Sequence, residues 1–196
     1  MKIAIIQYNA GNIQSVQYAL KRLGHTAVVT ADESILRNAD RVIFPGVGNA
    51  GAAMESLATK GLHELIPQLT QPVLGICVGM QLLCDHSEES ATKCLGIIPA
   101  RVIKFESDHE KVPQVGWNTI ENYASELLLG LEEHAFVYYV HSYYVELNPA
   151  TVATTHYVQP YSAIVQKNNF YGVQFHTEKS AGTGDRILSN FLTAIK

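Results

Sequence analysis

Between Pro72 and Gly79 an apolar strand runs into a helix with no linker. Pro72 to Ile76 is a short apolar run of the kind covered on both faces of a sheet. Cys77 follows at once, with Gly75 and Gly79 on either side, and a helix is predicted from Val78 to about His86. Such a turn leaves no space for side chains beside it, so glycines flank the central residue and its side chain projects outward. Strands that alternate with helices in this way pair in parallel, which restricts the chain to an α/β fold.

The preceding residues keep the same rhythm. Lys2 to Gln7 predicts a first strand, and the turn Asn9-Ala10-Gly11-Asn12 follows. Ile13, Val16, Ala19, Leu20 and Leu23 recur at helical spacing before a stop at Gly24. His25 to Thr30 and Arg41 to Phe44 predict further strands; Ala50 to Leu57 and Leu62 to Leu69 predict helices. The second half differs. Strand-like runs at 95–105, 136–140, 151–157, 161–166 and 170–175 have little helix between them, which predicts antiparallel additions to a parallel core. A helix from Arg186 to Ile195 closes the chain. No repeat, linker or low-complexity tract interrupts the 196 residues, so one domain is expected over 1–196.

Three segments carry chemistry. Cys77 stands at the first turn of a helix, whose N–H groups and dipole favour a thiolate, and the Val78 N–H would meet a developing oxyanion. The alternative for Cys77 is a buried structural thiol, which is common for free cysteine. His176 ends an apolar strand and Glu178 follows two residues on, within reach to orient the imidazole; a surface His beside a surface Glu is the alternative. Pro45-Gly46-Val47-Gly48 also lies between a strand and a helix, where a flexible backbone can supply a second oxyanion donor. Gly46-x-Gly48-x-x-Gly51 also matches a dinucleotide fingerprint in form, but it follows the third strand and lacks the acidic partner.

Other features read more simply. His63-Glu64 begins a zinc-helix pattern that Pro67 breaks. Glu88-Glu89 reads as a solvated loop, and the tyrosines at 138, 139, 143 and 144 as sheet packing. Cys84, seven residues after Cys77, is expected two helical turns along the same face, and Cys94 is expected to be structural. Three cysteines cannot all pair and their spacing matches no zinc ribbon, so free thiols and no metal are expected. A net charge of −4 argues against nucleic-acid binding. The N-terminal apolar run is too short for a signal peptide or membrane span, so a cytoplasmic protein is expected.

Taken in order, Pro45-Gly46-Val47-Gly48, Gly75-Ile76-Cys77-Val78-Gly79-Met80-Gln81 and Gln174-Phe175-His176-Thr177-Glu178 resemble the motifs of the class I glutamine amidotransferases. The resemblance implies a three-layer, flavodoxin-like sheet fold and a cofactor-free glutaminase. Cys77 would attack the side-chain amide of L-glutamine, with His176 as proton carrier and Glu178 as its orienter. Gly46, Gln81 and the backbone near Ser142 would hold glutamine, and the Val47 peptide would rearrange to complete the oxyanion hole with Gly48 and Val78. The runs Tyr8-Asn9-Ala10-Gly11-Asn12-Ile13-Gln14-Ser15-Val16, Val115-Gly116-Trp117-Asn118, Tyr139-Val140-His141-Ser142-Tyr143 and Glu178-Lys179-Ser180 are similar to one branch of that family. Its members pass ammonia to a cyclase subunit with a (β/α)8 barrel, in a heterodimer of histidine biosynthesis. Asn12, Tyr138 and Lys179 match positions that face that cyclase. A glutaminase serving another synthase, or a docking module that kept the fold without the chemistry, are the alternatives. Thr177 stands where the family usually has Pro, Gln114-Val115 where His-Met is common, and Gln7 where many members have an acid.

Overall fold

The computed structural model describes residues 1–8 and 12–195. The part of the expected turn at residues 9–11 lies outside them. The main sheet has seven strands. In chain order they begin with β1 (Ile3–Ile6), β2 (Ala27–Thr30), β3 (Arg41–Gly46) and β4 (Val73–Cys77). A smaller four-stranded sheet holds β5 (Cys84–Ser87), β6 (Thr92–Lys93), β7 (Ile98–Lys104) and, later in the chain, β10 (Tyr143–Val145). Strands β8 (Gln114–Thr119) and β9 (Phe136–His141) pair as an antiparallel ribbon. The main sheet is completed by β11 (Thr151–His156), β12 (Pro160–Lys167) and β13 (Phe170–Val173).

The main sheet runs in the order β11-β12-β13-β4-β3-β1-β2. Strands β13, β4, β3, β1 and β2 are parallel neighbours, and β12 and β11 are added antiparallel. The chain is therefore α/β with a mostly parallel centre, as its strand–helix rhythm predicts. β4 is buried along its whole length between β3 and β13. Their register decides what meets at the carboxyl edge: Gly46 lies opposite Cys77, and Val173 opposite Ile76. Three residues past β13 the chain reaches His176, so three sequence-distant motifs share one edge, where open α/β sheets bind ligands.

Helices α1 (Ile13–Arg22), α2 (Glu33–Arg37), α3 (Ala50–Thr59), α4 (Leu62–Leu65), α5 (Val78–Leu82) and α6 (Ala181–Thr193) complete the layers. Four differ from expectation. α5 stops at Leu82 rather than near His86. Cys84-Asp85-His86-Ser87 pairs with β6 and β7 instead, because tertiary strand pairing overrides a short apolar pattern. Cys84 thus lies in the smaller sheet and not along the helix, although it is buried. α4 gives way at Ile66–Gln68 to a 3-10 turn around Pro67. α2 is not among the expected helices; Asp32 caps it by accepting from the Ile35 N–H at 3.0 Å. α6 starts at Ala181 rather than Arg186, so its first turn contains Gly182 and Gly184, poor helix formers. Gly184 is required there: a Cβ would lie 1.9 Å from the Thr177 carbonyl oxygen. The aromatic strand residues pack as predicted, with Tyr139 fully buried and Tyr144 stacked on Phe105 at 4.4 Å.

Candidate active site

Cys77 is the last residue of β4 and caps α5 with φ 54° and ψ −111°. A side chain at positive φ costs about 1–3 kcal/mol, a strain that tight packing must hold in place. Three glycines supply that packing. A Cβ at Gly79 would lie 1.9 Å from the Phe44 carbonyl oxygen, one at Gly75 2.8 Å from Gly79, and one at Gly46 2.5 Å from the Gly79 nitrogen. Backbone thus touches backbone on each side of Cys77. Tyr8, two residues past β1, donates its hydroxyl to the Pro45 carbonyl at 2.6 Å and fixes the approach to the Gly46–Gly48 loop.

His176 and Glu178 are hydrogen-bonded through Nδ1 and Oε1 at 2.8 Å, with side chains only 4% and 1% exposed. Asn12 donates its Nδ2 to the same Glu178 oxygen at 2.8 Å. Burial alone would lower the His176 pKa. The neighbouring Cys77 and Glu178 outweigh it and raise the pKa to about 10. The imidazole is therefore protonated at neutral pH, between a sulfur on one side and a carboxylate on the other.

A cavity of about 560 Å³ opens over these groups. Val47, Gly48, Cys77, Val78, Gln81, Ser142 and His176 line it, as do Asn12 and Lys179. Gly46, Glu178 and Tyr138 do not: Gly46 and Glu178 are packed beneath it, and Tyr138 lies on the ribbon, its carbonyl accepting from the His176 N–H at 2.9 Å. His141 and Glu89 also line it, and the sequence assigns a role to neither. His141 donates Nδ1–H to the Tyr143 carbonyl at 2.8 Å. Burial first, then the His176 charge, lower its pKa to about 4 despite that bond, so its ring is neutral. Glu89 corrects the solvated-loop reading: it faces the cavity and accepts the Ala50 N–H at 2.6 Å through Oε2. A carboxylate at the start of α3 is favoured by the helix dipole, a partner that lies too far along the chain to be read locally. Glu88 is also engaged, accepting the Lys104 N–H at 2.8 Å.

Thr177 is fully buried at the first position of a 3-10 turn. The His176–Glu178 geometry does not depend on proline there, because Ser180 Oγ grips the His176 carbonyl at 2.6 Å and Gly184 packs against Thr177. The Thr177 hydroxyl finds no hydrogen-bond partner among the described residues. His176, with φ −86° and ψ 101°, has the extended backbone that a following proline prefers. Thr177→Pro is therefore expected to stabilise the fold by about 0.5–1 kcal/mol, since the first turn position needs no N–H. Chemical denaturation checks it; a lower midpoint would contradict the reading.

A family model described as "Glutamine amidotransferase class-I" matches residues 4–195. The chain belongs to the class I glutamine amidotransferase family. Among its relatives, imidazole glycerol phosphate synthase subunit HisH of Bacteroides thetaiotaomicron is 56% identical over 194 residues, covering 98% of this chain and 99% of the relative. The HisH subunit of Idiomarina loihiensis is 42% identical over 192 residues, covering 98% and 97%. The fold of the family recurs in a crystal structure of a glutamine amidotransferase with TM-score 0.76 at 17% identity, covering 98% of this chain and 97% of that one. A glutamine amidotransferase from Thermotoga maritima gives a TM-score of 0.66 at 17% identity, covering 99% and 83%.

Proposed function

We propose that this class I amidotransferase is the glutaminase subunit of an imidazole glycerol phosphate synthase. One observation carries the chemistry: Cys77, held at positive φ, lines the same cavity as His176, whose Nδ1 is bound to a buried carboxylate. The Cys77 sulfur attacks the glutamine side-chain carbonyl. Val78 and the Gly46–Gly48 loop receive the oxyanion on backbone N–H groups. His176, already protonated, gives its proton to the leaving nitrogen, and ammonia departs from a thioester. Now neutral, His176 takes a proton from water as the water oxygen bonds to the thioester carbon; the carbon–sulfur bond then breaks, releasing glutamate and restoring the sulfur. Glu178 keeps the imidazole oriented and Asn12 keeps Glu178 in place. Gln81, Glu89 and the backbone near Ser142 surround the amino-acid end of the substrate.

Ammonia in bulk water is protonated and no longer a nucleophile, so a synthetic glutaminase has to release it under cover. A partner surface adjoins the cavity. On the ribbon, Trp117 pairs with Tyr138 and Val115 with Val140, so these side chains share a face with Phe136. Val115, Trp117 and Phe136 are more than half exposed, and Pro113 and Val140 of the same region line the cavity. This face, with Lys179, is the docking surface for a cyclase subunit with a (β/α)8 barrel. Trp117→Ala is expected to weaken the complex by about 2 kcal/mol, roughly thirtyfold in Kd, because exposed aromatics dominate such interfaces. Isothermal titration with the purified cyclase reads it; an unchanged Kd would move the interface elsewhere.

Gly48, at φ 95° with open space around it, leaves the Val47 peptide free to turn. Glutamate release is expected to be slow in the isolated chain and much faster with the cyclase and its nucleotide ligand. Equal rates would refute the gate.

A further inference from the structure

Two carboxamides stand between the backbone of Tyr143 and the sulfur of Cys77. Gln81 is 2% exposed and Gln174 is fully buried. Gln81 Nε2 lies 2.8 Å from the Tyr143 carbonyl oxygen and 3.0 Å from Gln174 Oε1. A carbonyl oxygen only accepts, so the Gln81 group facing it must be the NH2. Both hydrogens of that NH2 are then committed, and the atom of Gln174 facing it must be the oxygen. The remaining end of Gln174, its NH2, meets Cys77 with Nε2 3.8 Å from Sγ. Neither amide can be flipped without setting two acceptors or two donors against each other. The neutral His141 ring donates to the same Tyr143 carbonyl at 2.8 Å and anchors the start of the chain.

We propose that Gln174 is a further catalytic residue, whose side-chain amide donates to the Cys77 thiolate while its oxygen holds Gln81 in register with the nucleophile. The inference rests on Cys77 being the glutaminase nucleophile. Burying an amide costs free energy that an apolar side chain of the same size would not, so filling space does not account for Gln174. Tyr8, another buried polar residue close to Cys77, spends its hydroxyl on Pro45. A neutral amide donor can stabilise negative sulfur without competing with His176 for the proton. Gln81 is left with its oxygen as the free end, on a side chain that lines the cavity. Substrate bound to Gln81 is thereby connected to the sulfur through two hydrogen bonds.

The test is Gln174→Met, which keeps an unbranched side chain and removes both donor and acceptor. Alkylation of Cys77 by iodoacetamide, located by mass spectrometry, is expected to slow about tenfold, the low end for a hydrogen bond to a charged group. The kcat for glutamine should fall by a similar factor, and KM should rise roughly threefold as Gln81 loses one restraint. A packing role alone would lower Tm and leave iodoacetamide reactivity as in wild type. A folded Gln174→Met protein alkylated at the wild-type rate would overturn the proposal. Should that variant not fold, the Gln174 side-chain amide resonances of the 15N-labelled wild-type protein give the answer. They are expected to move on Cys77→Ala, and unchanged positions would also overturn it. If a glutamine-analogue alkylator leaves wild-type Cys77 unmodified, the proposed function and this relay fall together. A normal wild-type adduct with unchanged Gln174→Met kinetics removes the relay alone.

Discussion

Cys77→Ala and Cys77→Gly are each expected to cut glutaminase activity by at least about four orders of magnitude, the loss seen when a nucleophile is removed. Their stabilities should separate as well. Cys77 is the N-cap of α5, a position where Gly is already favoured over Ala. The φ of 54° widens that preference, because only Gly adopts that backbone without strain. Cys77→Gly should therefore be more stable than Cys77→Ala by about 1 kcal/mol. Ala more stable than Gly would mean that the turn relaxes and stores no strain. The same substitution reports on the ion pair. His176 holds its proton up to about pH 10 while the sulfur is present. In Cys77→Ala the opposing effect of burial gains weight, and the imidazole should titrate at lower pH by NMR.

Gly79→Ala is expected to cause a comparable loss of function by a different route. Its Cβ would meet the Phe44 carbonyl oxygen at 1.9 Å, and neither partner is a side chain that can rotate away. The strand β3 and helix α5 must separate, at about 3 kcal/mol or more. That separation breaks the register that sets Gly46 opposite Cys77, so oxyanion stabilisation should fail along with the fold's stability. Gly24→Ala is the control: φ is 81° but no atom lies within 4 Å of the added carbon. Its cost should be limited to the backbone, about 1 kcal/mol. Thermal melts of the two variants compare them, and similar losses would argue against close packing at the elbow.

The parallel half of the fold is legible because each element there is a separate run with its own period and punctuation. Pro72 to Gly79 announces strand, turn and helix within eight residues. The smaller sheet is not, since Cys84–Ser87 and Tyr143–Val145 are short and gain their strand character from partners elsewhere in the chain. Gly182 and Gly184 hide the first turn of α6 for a related reason: contact with Thr177, not helix propensity, selects Gly184. At the candidate site the residues with motif spacing can be found. Glu89, His141 and Gln174 escape a role because their partners are Ala50, Tyr143 and Cys77, between 2 and 97 residues distant, and only Tyr143 is local. The resemblance sets Asn12 against the cyclase; its amide also supports Glu178, a contact across 166 residues that no local pattern carries.

In the proposed function Cys77 is a glutaminase nucleophile made competent by its partner. Mass spectrometry after incubation with a glutamine analogue that alkylates thiols tests it most directly, with and without the cyclase. The expected result is one adduct, on Cys77, formed much faster in the complex, while Cys84 and Cys94, whose thiols are buried and held protonated by that burial, stay unmodified. No adduct on Cys77 in the complex, or an adduct on another cysteine in its place, would contradict the account.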